Sequence, residues 1–210
     1  MNGDGARLGG DTPVRLRVHH VTLQGARVTL RPMTENDWDV LGRWGSDPDV
    51  LWFSEGDDVK AYSLEDVQGI YRQTSQTAFC FIIEVDGQAI GECWLQKMNL
   101  DRLLTRFPSQ DCRRIDLTIG EKAQWGQGYG TDAIRTLCRW GFEGQRADII
   151  FCCGVADYNP RSRRAFEKAG FVEYQRIEEP PGAKGRWSYD LILRREEYFH
   201  HAATSASPST

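Results

Sequence analysis

Hydrophobic and polar positions along the chain fall into blocks of two periods, which predict strands alternating with helices. Val28–Arg31 reads as a strand closed by Pro32. Thr34, with Asp37 three residues on, opens a helix to about Gly45 in capping-box fashion. Ser63 and Asp66 repeat that signal ahead of a helix over Leu64–Thr74. Ala78–Val85 and Gln88–Lys97 are β-rich and joined by Asp86-Gly87, a hairpin signal. The long connection Met98–Cys112 has room for a short helix near Leu100–Phe107 and leads to the strand Arg114–Ile119. A helical pattern follows from Gly130 to Phe142. Ile149–Val155 is nearly all apolar, as expected of a strand buried on both faces. Asn159-Pro160 opens a helix that stops at Gly170, and Phe171–Glu178 and Trp187–Arg194 flank the turn Pro180–Gly185. No internal repeat is present. The order predicts an α+β domain, a mixed sheet with helices on both faces.

With 210 residues the chain can bury one core. The expected domain is 23–199, with residues 1–22 and 200–210 as disordered tails. A net charge of −4 without a basic patch argues against nucleic-acid binding. No run is long enough to span a membrane, and the N-terminus lacks the apolar core of a signal peptide. Cys80, Cys93, Cys112, Cys138, Cys152 and Cys153 have no C-x-x-C spacing, so neither zinc nor a redox pair is expected. Free, buried thiols in a cytoplasmic protein, monomeric or homodimeric and without a metal, are the expectation.

The acidic charge is concentrated. Ten carboxylates (Glu35, Asp37, Asp39, Asp47, Asp49, Glu55, Asp57, Asp58, Glu65, Asp66) stand against Arg43 and Lys60. Such a cluster attracts a polycation, but several of these acids also sit where first-turn caps belong. The densest chemistry lies between Gln124 and Thr131, Gln-Trp-Gly-Gln-Gly-Tyr-Gly-Thr, set between a strand and a helix. Glycines let the backbone approach a pyrophosphate, and the N–H groups of a helix N-terminus point at the anion. The turn fits neither the P-loop nor the dinucleotide fingerprint. By itself it also fits an ordinary glycine-rich corner.

Two segments together resemble the GNAT superfamily of acetyl-coenzyme-A-dependent N-acetyltransferases. Trp125-Gly-Gln-Gly-Tyr-Gly130 is similar to the family's Q/R-x-x-G-x-G/A loop. Asn159-Pro-Arg-Ser-Arg-Arg-Ala-Phe-Glu-Lys-Ala-Gly-Phe171 is similar to its Asn-x-x-Ser/Ala…Tyr-Glu-Lys-x-Gly-Phe segment. The likeness covers about Val28 to Tyr198 and implies a GNAT fold with a splayed parallel strand pair, here 114–119 and 149–155. It implies that acetyl-CoA lies in the splay against Leu117, Thr118 and Ile119. Gln124, Trp125, Gly126, Gln127, Gly128, Tyr129, Gly130 and Thr131 would then cradle the pyrophosphate, with Asn159 and Arg164 completing the contacts. Asn159 reads equally as a simple N-cap. Trp125 replaces the family's usual Gln or Arg, and Phe166 stands where many members carry a Tyr that protonates the leaving thiolate.

Acetyl transfer needs a neutral amine and an acceptor for its proton. Asp116, a carboxylate inside an apolar strand, is the candidate for that role; a solvent-facing place on an alternating strand is the other reading. Arg113-Arg114-Ile115-Asp116 resembles the Arg-x-Ile-Asp of aminoglycoside 6'-N-acetyltransferases. Leu51–Asp58, with Ser63–Gln68 and Tyr71, is similar to that group's acidic-aromatic acceptor loop and helix. The resemblance implies that Trp52, Glu55, Asp57, Asp58 and Asp116 bind a polycationic small-molecule amine, an aminoglycoside. Thr29–Pro32 and Trp125–Tyr129 are also similar to acetyltransferases of ribosomal-protein N-termini. A third reading, supported by Phe166, is a GNAT-like module that binds CoA without catalysis.

Overall fold

The computed structural model describes residues 14–55 and 60–205. The sheet has eight strands: β1 (Leu23–Gln24), β2 (Thr29–Pro32), β3 (Ala78–Val85), β4 (Gln88–Lys97), β5 (Cys112–Ile119), β6 (Ile149–Ala156), β7 (Val172–Glu178) and β8 (Trp187–Arg194). Their spatial order is β1-β2-β3-β4-β5-β6-β8-β7. Every neighbouring pair is antiparallel except β5 and β6, which run parallel. This is the mixed, mostly antiparallel sheet with one parallel pair that the sequence leads one to expect.

Helices cover both faces. On one lie α1 (Trp38–Trp44), α2 (Pro48–Ser54) and α3 (Leu64–Thr74), with Met33, Trp38, Leu41, Trp44 and Val67 packed on Cys80 and Ile82 of β3. The short helix α4 (Asp101–Leu104) seals a smaller cluster around Phe151 on that side. On the other face, α5 (Tyr129–Arg139) and α6 (Pro160–Lys168) bury Ile134, Leu137 and Phe166 against Leu95, Ile115 and Ile150. Period-2 alternation along β5 sorts its side chains, so Leu117 faces α5 while Asp116 and Thr118 face α1–α3.

Most predicted elements are present, and four differences have physical reasons. Residues 14–22, expected in a tail, run along the fold: Leu16 is buried, and the Arg17 guanidinium donates to the carbonyls of Ser75 and Ala78. Pro48–Ser54, which includes the first residues of the loop expected over Leu51–Asp58, is helix α2, capped by Asp47 Oδ1 accepting from Asp49 N at 2.9 Å. The single helix expected after Thr34 begins as a 3₁₀ turn, Glu35–Asp37, before α1. The chain also does not end its order at 199, because α7 (Arg195–Ser205) follows β8 directly. Among the described residues, no helix is long and apolar enough to cross a membrane.

Candidate active site

The parallel ladder between β5 and β6 is short. It pairs Cys112 with Ile149 through Arg114 with Phe151, and then the strands part. The cause lies in β6, whose register against β8 slips between Cys152 and Val155, with Gly154 at φ +74°. The Gly154 N–H donates at 3.0 Å to Asp190 of β8. That carboxylate is fully buried and is held in turn by Arg102 of α4 and Gln175 of β7. Three elements thus fix the bulge that opens the sheet.

Where the strands part, two cavities meet. The first is a groove of about 340 Å³ lined by Leu117, Thr118, Ile119, Gln124, Trp125, Gly126, Gly128, Tyr129, Gly130, Thr131, Asn159 and Arg164, together with Arg161 and Phe166. Gly126 at φ +76° and Gly128 at φ +88° take the left-handed region, which side-chain-bearing residues avoid. Their turn delivers the chain to the N-terminus of α5. Gly130 needs no such freedom, since a Cβ there meets Leu117 only at ordinary van der Waals distance. The loop is tied down by Trp125, whose indole donates to Ile119 O at 2.6 Å, and by Arg27, which donates to Gln127 O at 2.6 Å. The side chain of Gln127 turns back to Ala123 O and lines neither cavity.

The second cavity, about 550 Å³, lies between the sheet and helices α1–α3. Its volume suits a small organic molecule. Glu92, Trp94, Asp116 and Thr118 come into it from β4 and β5, Glu55 and Tyr71 from the helical side, and Tyr158 and Lys184 from loops beyond β6 and β7. Asp116 is anchored: both its oxygens accept from Arg114 at 2.8 Å. Glu92 is not. It pairs in register with Thr118 and is diagonal to Asp116 on the same face. Burial pushes the Glu92 carboxyl up to about 8; a hydrogen bond from the Thr118 side chain pulls it down, and the charges of Asp116 and Glu55 raise it further. Among the described residues, the buried side-chain atoms without a hydrogen-bond partner are Arg72 Nε, Glu92 Oε2 and Trp94 Nε1. Two of these three line this one cavity. Unpaired buried polar atoms are costly, so both atoms favour a polar partner within the cavity.

The sites share a wall. Phe53, at the end of α2, lines both, and Asn159 Nδ2 donates to Phe53 O at 3.0 Å. Asn159 Oδ1 caps α6 by accepting from Ser162 N at 3.2 Å, so the capping role is met. Arg161 sits 4.3 Å from the Phe53 ring centroid and 4.1 Å from that of Trp125. Phe166 is buried against Phe171 and reaches both cavities without a hydroxyl.

The expected acceptor residues are only partly brought together. Asp116 and Glu55 line the second cavity, whereas Trp52 is 55% exposed and is not part of its lining. Asp57 and Asp58 lie outside the described residues. Much of the acidic cluster is structural: Asp37 pairs with Arg31 at 2.7 Å, Asp47 and Asp49 with Lys122, and Asp66 caps α3 through Ser63. The sequence reading missed Glu92, although a carboxylate between Gly91 and Cys93 in a β run carries the same signal as Asp116. Cys152 and Cys153 also line the cavity, but burial pushes both thiols up, Cys153 to about 12, which disfavours a thiolate nucleophile.

Residues 27–172 match the family model described as "Acetyltransferase (GNAT) domain". The chain is 27% identical over 167 residues to an aminoglycoside N(6')-acetyltransferase type 1 of Klebsiella pneumoniae, covering 77% of this chain and 82% of that protein. Its fold is similar to the solved structure of AAC(6')-Ib in complex with ribostamycin and coenzyme A, with TM-score 0.69 and 23% identity over 87% of this chain and 99% of that one. It is also similar to a Vibrio cholerae spermidine N-acetyltransferase in complex with CoA and spermine, with TM-score 0.67 and 19% identity over 83% and 99%.

Proposed function

The chain belongs to the GNAT acetyltransferase family, and from that premise we propose that it acetylates the 6'-amino group of an aminoglycoside with acetyl-CoA. One observation carries the reading. An acid-lined cavity with unpaired polar atoms opens into the glycine-loop groove at the point where β5 leaves β6. The name of the Klebsiella relative supports the choice of acceptor.

The groove residues suit the cofactor: an unpaired strand edge over Asp116–Ile119 for a peptide-like arm, and two left-handed glycines before a helix N-terminus for the phosphates. Acetyl-CoA supplies an acyl thioester at the junction. Asp116, fixed by Arg114, holds the acceptor ammonium by charge. Glu92, with a carboxyl that ionises near pH 8, takes the proton that the amine must lose. Attack by the amine nitrogen forms the C–N bond and breaks the C–S bond. The thiolate leaves and takes its proton from water, since Phe166 has none to give.

The test is thiol release from acetyl-CoA in the presence of kanamycin or tobramycin, followed with a thiol reagent, with mass spectrometry locating the acetyl group. Release with spermidine alone, or with a basic peptide alone, would replace the acceptor while keeping the family's chemistry. Tight CoA binding with no release to any amine would make the chain a binding module.

A further inference from the structure

The carboxylate of Asp132 stands in the first turn of α5, where its charge would oppose any phosphate bound at that helix N-terminus. It is turned instead onto the β1–β2 turn. Its oxygens accept from three consecutive backbone N–H groups, those of Ala26 at 3.1 Å, Arg27 at 2.7 Å and Val28 at 3.0 Å. Three amides converging on one carboxylate form an anion nest that the chain fills with its own side chain.

The turn sits tightly on α5. A Cβ at Gly25 would lie 2.7 Å from Asp132 Oδ2 and 2.8 Å from Thr136 Oγ1. At the other end of α5, Arg139 donates to the Gln24 carbonyl. From this docked turn Arg27 reaches the glycine loop, where its guanidinium lies 4.3 Å from the Tyr129 ring centroid and donates to Gln127 O at 2.6 Å. In a trans peptide the carbonyl and the following N–H point in opposite directions. Among the described residues no peptide bond is cis. With the Gln127 carbonyl held outward by Arg27, the Gly128 N–H faces the other way. Gly128 lines the groove and Gln127 does not.

We propose that Asp132 is a positioning residue for the cofactor, acting through Arg27 to aim the Gly128 N–H into the phosphate groove. This rests on the proposed use of acetyl-CoA and adds to it a group that never touches that molecule. Asp132 fixes the β1–β2 turn, the turn fixes Arg27, and Arg27 sets the peptide plane between Gln127 and Gly128. Glycine at 128 lets that plane turn either way, which is why it needs a brace. Removing Asp132 has two opposed effects: a negative charge leaves the phosphate end of the groove, and the brace is lost. The loss of the brace wins.

Calorimetric titration with CoA reads which effect is larger. Asp132→Ala should weaken CoA binding about tenfold, of the order of one lost hydrogen bond, although it removes a negative charge. Asp132→Asn loses the same charge but keeps an oxygen for the turn, so its loss should be about threefold or less. Arg27→Met should weaken binding about tenfold at low and high salt alike, because a peptide plane held by geometry is not screened. The double variant Asp132→Ala/Arg27→Met should bind no more weakly than the worse single, since both break one chain of contacts. Unchanged or tighter CoA binding in Asp132→Ala, whatever its Tm, would overturn the proposal. An Arg27→Met loss confined to low salt would overturn it too, and decides alone where Asp132→Ala fails to fold. A wild type that binds CoA yet acetylates no aminoglycoside would remove the proposed reaction and leave Asp132 in its role.

Discussion

The groove and the acceptor cavity lie side by side yet are built from different material. The groove is backbone: two left-handed glycines, a helix start and a strand edge released from its ladder. The cavity is side chain: carboxylates from two strands, aromatics from three helices and a lysine from a distant loop. A backbone site binds a group whose shape does not vary, whereas a side-chain site can be re-specified by single substitutions without disturbing the sheet. The comparison predicts that substitutions in the cavity change acceptor and rate, and that substitutions in the groove change cofactor affinity.

Asp116→Asn should give the largest effect. Turnover with tobramycin should fall by about a hundredfold or more, because Arg114 is left with an unneutralised charge beside the incoming ammonium. Calorimetry should find acetyl-CoA binding little changed; equal losses in both would erase the distinction between the two regions. Glu92→Gln comes next, with kcat falling by about a hundredfold and the acid limb near pH 8 disappearing from the rate profile.

The same Glu92 variant reports on stability. The folded carboxyl is raised above its ordinary value of 4.5, so between about pH 4.5 and 8 the folded state holds a proton that the unfolded state has lost. Wild-type stability therefore falls as pH rises through that window. Melting curves should show the Glu92→Gln protein losing less of its Tm between pH 5 and pH 9.

Smaller effects should follow in the groove and at the junction. Gly128→Ala forces a side chain into the left-handed region at a cost of roughly 1–2 kcal/mol, so acetyl-CoA binding should weaken by about tenfold while the acceptor preference stays as it was. Phe166→Tyr should alter turnover least. A rise of about a hundredfold, the size of a general-acid effect, would show instead that thiolate protonation limits the rate.

The same contrast explains what could be read from the chain. The glycine loop and the strands around it were legible because left-handed turns and period-2 alternation leave marks in consecutive residues. Helix α2 is short, and its signals, Asp47 as cap and Pro48 at the first position, run straight into an aromatic segment without a helical polar face. The strap over residues 14–22 has no pattern of its own, and its order comes from Arg17 reaching the end of α3 and the start of β3. The cavity was only half legible. Asp116 was marked by its apolar neighbours, but Glu92, Tyr158 and Lys184 are brought to it by register and loop packing, which no local spacing records.

Phe53 belongs to both chambers and is roped to Asn159 and Arg161 across their boundary. Any displacement of that ring by one guest alters the room left for the other. Thermodynamic reciprocity then requires each guest to change its companion's affinity by the same factor. Dissociation constants for tobramycin with and without CoA, and for CoA with and without tobramycin, would measure that factor twice.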